Sequence, residues 1–241
     1  NEANVLDRNS TLQDMIDKLA QIPLRQQPGS VWHYSVSVDV QGYLVEKLSG
    51  MGFDEFLQER LFAPLGMVDT RFYVGAEKAA RFSREYTSSA NGITSPENGD
   101  FIDPVPFLSG GGGLTSTAGD YLRFAQMVAN GGSLDGVRIL SSDSVDLMRM
   151  NQLPAGQTEI PGYPGNAFGL DFAVVMDPSK NGGMSAGSYW WWGIAGSWFW
   201  IDPVEDLVFV GMIQNRNLGY ARGLQLKSKE LLYDAVEMSH K

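Results

Sequence analysis

The residues that could do chemistry in this chain are few. One G-x-S-x-G runs Gly183-Met184-Ser185-Ala186-Gly187, and Asp202, Asp206 and His240 follow it. That order suits a Ser-Asp-His triad on an α/β-hydrolase sheet, where the serine sits between a strand and a helix. The flanks do not fit. "DPSKNGG" precedes the serine, "SYWWW" follows it, and His240 lies one residue from the end. Ser185 therefore reads as a loop residue. A second serine chemistry needs no histidine: a lysine and a tyrosine share the proton traffic. It requires a Ser-x-x-Lys at a helix start, a tyrosine ahead of another helix, and a strand that offers a backbone N–H to an oxyanion. Tyr34 in "PGSVWHYSVSVDV" and the stretch "SYWWWGIAGSWFWIDP" supply the second and third parts.

The first part is missing. The residues three positions before the seven lysines are Met15, Leu44, Gly75, Asp177, Leu224, Leu226 and Met238, and none is serine. The totals exclude other chemistries. There is no cysteine, so disulfides, thiolate metal sites and a cysteine nucleophile are out. Two histidines, His33 and His240, do not make a histidine-rich metal site. The net charge of -10 without a basic cluster argues against nucleic acid. No apolar run is long enough to span a bilayer. No metal or organic cofactor is implied. The polar start, "NEANVLDRNSTL", shows neither a signal peptide nor an initiating methionine.

Elements must position these residues. Ser10 or Thr11 starts a helix over Leu12 to Ala20. Val36, Val40, Leu44 and Leu48 lie four apart and predict one apolar helical face ending near Gly50. Phe53, Phe56, Leu57 and Leu61 make another stripe, stopped by Pro64. Residues 83–113 read as a long loop. Thr117 and Asp120 predict a capping box for a helix to about Asn130, with Gly131 and Gly132 as its stop. A short helix fits Ser144 to Met150. Strands are expected at Phe168 to Val175, Trp190 to Ile201 and Leu207 to Ile213, the last two joined by "DPVED" as a hairpin. A final helix spans about Tyr220 to Met238. Helices first and strands later predict an α+β layout, a sheet flanked by helices.

Four segments together resemble the serine β-lactamase and penicillin-binding superfamily. They are Pro28-Gly29-x-x-Trp32-x-Tyr34-Ser35, "FLQERLFAPLGMVDTRF", "GGGGLTSTAGDYLRFAQMVANGG" and "GIAGSWFWIDP". Within it they are most similar to class C β-lactamase-like carboxylesterases, the family VIII esterases. The resemblance implies a β-lactamase/transpeptidase-like fold: an antiparallel sheet flanked by helices plus a helical subdomain. It implies that residues 1–241 are the carboxy-terminal part of one catalytic domain, about 1–150 mostly helical and about 160–241 a sheet hairpin with a final helix. The Ser-x-x-Lys segment would then lie elsewhere, and this fragment would be inactive alone and expose a sheet edge.

The resemblance also implies roles. Tyr34 matches the catalytic tyrosine; on position alone it reads as a packing tyrosine in a turn. A free phenol titrates near ~10 and needs a neighbouring ammonium to act as a base at neutral pH. Trp191, Trp192 and Gly193 stand where β-lactamases carry Lys-Thr-Gly, Trp192 replacing a family glycine. Gly193 keeps the backbone close to a substrate carbonyl, and the Ile194 N–H is an oxyanion donor. Trp190, Trp192, Trp198 and Trp200 share strand parity, with Trp191 on the other side. Val36 replaces the asparagine of Tyr-x-Asn, and an indole at 191 cannot hold a carboxylate as a lysine does. A small-molecule carboxylic ester with a small or aromatic acyl group is therefore the expected substrate. Gly110 to Gly113 either border the cleft or form a flexible loop end. The competing functions are a non-catalytic ligand-binding or sensor protein on the penicillin-recognising fold, and an acyltransferase or D-aminopeptidase of the same family.

Overall fold

A computed structural model describes residues 4–95 and 101–239 of the chain. They cluster into two compact units, residues 1–82 with 98–123, and residues 83–97 with 124–241.

The first unit is helical. Thr11 caps α1 (Leu12–Leu19) in a reciprocal capping box with Asp14. α2 (Ser37–Ser49) ends on Gly50, whose φ of 70° is the left-handed stop that glycine takes most readily. The face that α2 buries is not the one its leucines predicted. Asp39 and Gly42 are buried, whereas Leu44 is 48% and Leu48 87% exposed. Gly42 decides this, because a Cβ there would come 2.9 Å from the Phe53 ring, and its absence lets that ring in. Phe53 joins Val5, Leu12, Met15, Phe72 and Phe107 in the core, with Val40, Tyr43 and Val45 of α2 packed on them.

The next helix also departs from expectation, since Pro64 does not stop it. α3 (Phe53–Leu57) runs into a π-helical turn (Gln58–Phe62) and on into α4 (Ala63–Leu65), which ends at left-handed Gly66. The Ala63 N–H reaches the Gln58 carbonyl, five residues back. That widening accommodates a proline ring where an α-helical turn would crowd it. At α5 (Ala118–Ala129) half of the expected capping box forms: the Asp120 N–H donates to Thr117 Oγ1 at 3.1 Å. The Asp120 carboxylate instead accepts from the Asp69 N–H at 2.7 Å and the Thr70 hydroxyl at 3.0 Å.

The second unit holds the main sheet. Part of the expected 83–113 loop is a small hairpin, β1 (Thr87–Ser89) with β2 (Gly92–Thr94). A second hairpin joins β3 (Ser133–Leu134) to β4 (Val137–Arg138), followed by α6 (Ser142–Met148). Five antiparallel strands then form one sheet in sequence order. They are β5 (Asn166–Phe168), β6 (Ala173–Val175), β7 (Tyr189–Trp192), β8 (Trp198–Asp202) and β9 (Leu207–Gly211). Two single strands of the sequence reading are thus hairpins. Residues 168–175 fold at Gly169–Phe172, where the Gly169 N–H donates to the Phe172 carbonyl. Residues 190–201 fold at Gly193–Ser197. β9 is one edge of the sheet. α7 (Leu218–Ser239) is capped by Asn217, whose side chain accepts from the Tyr220 N–H at 3.0 Å. Ala221, Gln225, Lys229 and Tyr233 recur every four residues along α7 and are its buried stripe.

Candidate active site

Tyr34 lies just ahead of α2, in the first unit. Its ring is 58% exposed and tilts against Trp32 at 6.2 Å. It stands at an open cleft of about 340 Å³ whose other walls include Val36, Val38, Asp39, Phe107 and Gly111–Gly113. A void of that size suits a small organic ligand. The glycine run therefore borders the cleft. Glycine is required there by close approach. A Cβ at Gly110 would sit 2.4 Å from the Val38 carbonyl oxygen, and one at Gly111 would sit 2.8 Å from Asp39 Oδ2.

Asp39 ties this wall to α2, and the sequence reading did not single it out. It is 4% exposed. Its Oδ1 accepts from the Ser109 hydroxyl at 2.5 Å and from the Gly111 N–H at 3.2 Å. A buried carboxylate costs free energy unless such donors meet it. In the sequence, Asp39 looks like any acid in the first turn of a helix, placed to complement the dipole. Its partners lie about seventy residues away and leave no local signal.

The second set of candidates sits in the second unit, at the β7–β8 hairpin. The Gly193 N–H donates to the Ser197 carbonyl at 2.8 Å, and the Gly196 N–H returns to the Gly193 carbonyl at 2.9 Å. Gly196 has a φ of 100°. This is a three-residue hairpin loop, a β-turn with Ile194 and Ala195 at its corners and a left-handed glycine after it. Ile194 is 61% exposed. Its N–H has no acceptor among the described residues. An N–H at a turn corner points away from its own hairpin, so it can serve a ligand.

Trp190 pairs across the hairpin with Trp200, Trp192 with Trp198, and Trp191 with Phe199. The expected sharing of one face holds, but through cross-strand register and not along a single strand. The three indoles of β7 are held. The Trp192 Nε1–H donates to the Tyr163 hydroxyl at 2.7 Å and the Trp190 Nε1–H to Asn166 Oδ1 at 2.9 Å. Trp191 packs edge-on against Phe168 at 5.3 Å. Tyr163 and Asn166 were not foreseen, because each orients a tryptophan some twenty-five residues away.

The triad candidates take other duties. Ser185 lies in a loop, and its backbone N–H donates to Asp202 Oδ2 at 3.0 Å. Asp202 also accepts from the Tyr233 hydroxyl at 2.7 Å and from the Val204 and Glu205 N–H groups at 3.0 and 3.3 Å. Burial alone would raise its carboxyl; these donors outweigh it and hold the group below the usual carboxylate range. Asp202 is the clasp of the β8–β9 turn. His240 lies outside the described residues. Among the described residues no group of three or more His, Cys, Asp and Glu is placed to hold a metal ion, and no helix is long and apolar enough to cross a membrane.

A family model described as Beta-lactamase matches residues 1–226. The chain belongs to the β-lactamase family. It is similar to Protein Rv1367c of Mycobacterium tuberculosis, 37% identical over 211 residues that are 82% of this chain and 52% of that protein. It is also similar to Esterase EstB of Burkholderia gladioli, 32% identical over 248 residues, 94% of this chain and 60% of that protein. Among solved structures, EstCE1, a hydrolase with promiscuous acyltransferase activity, matches with a TM-score of 0.75 at 24% identity, covering 93% of this chain and 62% of that one. That likeness shows the fold, which is β-lactamase/transpeptidase-like and α+β. The chain spans about half to three fifths of the length of these relatives.

Proposed function

We propose that this chain supplies the proton-transfer tyrosine, Tyr34, and an oxyanion donor, the Ile194 N–H, to a serine esterase of β-lactamase type that acts on uncharged carboxylic esters with small or aromatic acyl groups. The nucleophilic serine and its lysine belong to a Ser-x-x-Lys segment that these 241 residues do not contain. Tyr34, as phenolate beside that lysine, takes the serine proton. The serine oxygen adds to the ester carbonyl, and the developing oxyanion accepts from the Ile194 N–H. Tyr34 returns the proton to the departing alcohol. Water then attacks the acyl-enzyme by the same route and releases the acid.

The observation that carries this reading is the cleft of about 340 Å³ beside Tyr34, walled in part by Gly111–Gly113. Three further features support it. Val36 lines that cleft in place of an amide. The indole of Trp191 offers apolar surface where a lysine would hold a carboxylate. An esterase stands among the chain's relatives. The 241-residue chain is expected to be inactive alone.

A fluorophosphonate probe tests the reading on a longer protein that holds both this chain and a Ser-x-x-Lys segment. Covalent labelling at that serine, with loss of p-nitrophenyl ester turnover by ~10³-fold or more in Tyr34→Phe, is the expected result. Labelling without turnover, or near-normal turnover in Tyr34→Phe, refutes the assignment.

A further inference from the structure

A second, much smaller cavity lies between α7 and the face of the main sheet, within the second unit. Met184, Trp190, Trp198, Trp200, Arg222 and Lys229 line it. It leaves about 10 Å³ for the centre of a water-sized sphere, which is room for one water or one monatomic ion.

Of the polar groups around it, Lys229, Arg222 and the tryptophan indoles are donors only, and the buried Gln225 brings an amide that both donates and accepts. Lys229 is 6% exposed, yet its Nζ finds one weak acceptor, Met184 Sδ at 3.4 Å. The rest of its contact is cation–π, with Nζ 5.2 Å from the centre of the Trp190 ring. The Arg222 guanidinium lies 6.0 Å from the centre of that same ring. Among the described residues neither cation has a carboxylate at ion-pair distance. The Trp198 Nε1–H is buried and has no acceptor among the described residues.

A buried ammonium without a counter-charge is costly, and a like charge nearby adds to the cost. Burial, with Arg222 adding to it, accordingly lowers the Lys229 ammonium to about 8. An orphaned indole N–H adds its own desolvation penalty. One small anion would answer all three groups. A water would not, since it brings no charge.

We infer that this cavity is a binding site for a halide-sized anion, chloride in solution, held by the Lys229 ammonium with the Trp198 indole N–H and the Arg222 guanidinium beside it. The site is independent of the ester chemistry and uses none of its residues. Its size excludes tetrahedral anions such as sulfate.

The test uses the purified 241-residue chain. Its thermal midpoint is measured in sodium chloride against sodium gluconate at matched ionic strength, with ³⁵Cl line broadening as a direct readout of binding. The expected result is a saturable, chloride-specific rise in the midpoint and a broadened ³⁵Cl line. Both are lost in Lys229→Met, and the affinity falls several-fold in Trp198→Phe. Sulfate does not compete beyond its ionic strength. Absence of a chloride effect in the wild type overturns the site, as does an equal effect in Lys229→Met or equal potency of sulfate. Should Lys229→Met fail to fold, the Trp198→Phe affinity and the ³⁵Cl line still decide: an unchanged affinity in that variant overturns the donor set.

Discussion

Replacing Asp39 should loosen the glycine wall of the Tyr34 cleft and cost stability in a definite order. The carboxylate is 4% exposed and accepts two hydrogen bonds, from Ser109 and Gly111. Hydrogen bonds to a charged group contribute about 1.5–3 kcal/mol each, so two bound the loss in Asp39→Ala at about 3–6 kcal/mol. Removing the buried charge recovers part of its desolvation cost, which brings the net to about 3 kcal/mol. Asp39→Asn keeps an oxygen that can accept from the same donors and loses only the charge assistance, about 1 kcal/mol. With a urea slope of about 3 kcal/mol/M for a chain of this size, the midpoints should fall by about 1 M and about 0.3 M. The assay is urea unfolding followed by far-ultraviolet circular dichroism, with amide exchange at Gly111 to Gly113 as the local readout. Faster exchange there should accompany the global loss. An unchanged midpoint in Asp39→Ala would refute the reasoning, as would Asp39→Asn costing as much as Asp39→Ala. Either would mean that Ser109 and Gly111 find equal partners in water.

Ile194→Pro removes the proposed oxyanion donor at a turn corner that proline tolerates. In a longer, active protein kcat should fall by about 10²–10³-fold with the fold intact by circular dichroism, whereas a rate within a few-fold would exclude this N–H from the reaction. Lys229 predicts a pH dependence in chloride-free buffer. Its ammonium is lowered from 10.5 to about 8, so the unfolded chain binds the extra proton between those values. Stability should therefore rise as pH increases through that window, by at most about 3 kcal/mol, and the rise should vanish in Lys229→Met. The sheet side of the cavity offers Lys229 only Met184, Phe199 and tryptophans, none of which titrates there, and its own helix offers Arg222 and the neutral amide of Gln225. Gly211→Ala should destabilise the β8–β9 pair, because a Cβ there would come 2.4 Å from the Trp198 ring; an unchanged denaturation midpoint would show that the ring moves aside freely.

The candidate residues stand out in the sequence because their signals are local. A proline, a tryptophan and a tyrosine within a few residues marked Tyr34, and a glycine-bearing aromatic stretch marked Trp191 to Ile194. The misses share a cause. Periodicity assigned Leu44 and Leu48 to the buried face of α2, since it counts apolar residues and not the space they need. The ring of Phe53 needed Gly42 facing it. Parity along residues 190–201 grouped the right tryptophans, yet a left-handed Gly196 turned one strand into two. Asp39 and Lys229 looked like ordinary helix charges.

By itself, then, the sequence determined the α+β class, a helix start at Ser10 or Thr11, a helix stop near Gly50, the turn after Asp202 and the family. Each of these depends on interactions within a few positions or on a motif carried whole. Only the tertiary structure decided which face of α2 is buried, that Asp39 holds Ser109 and Gly111, that Tyr163 and Asn166 steer the tryptophans, and that Lys229 is enclosed without a counter-charge. Those outcomes turn on contacts between residues about 11 to 72 positions apart. Chain closure over such distances is settled by packing and desolvation, which no short stretch of sequence encodes.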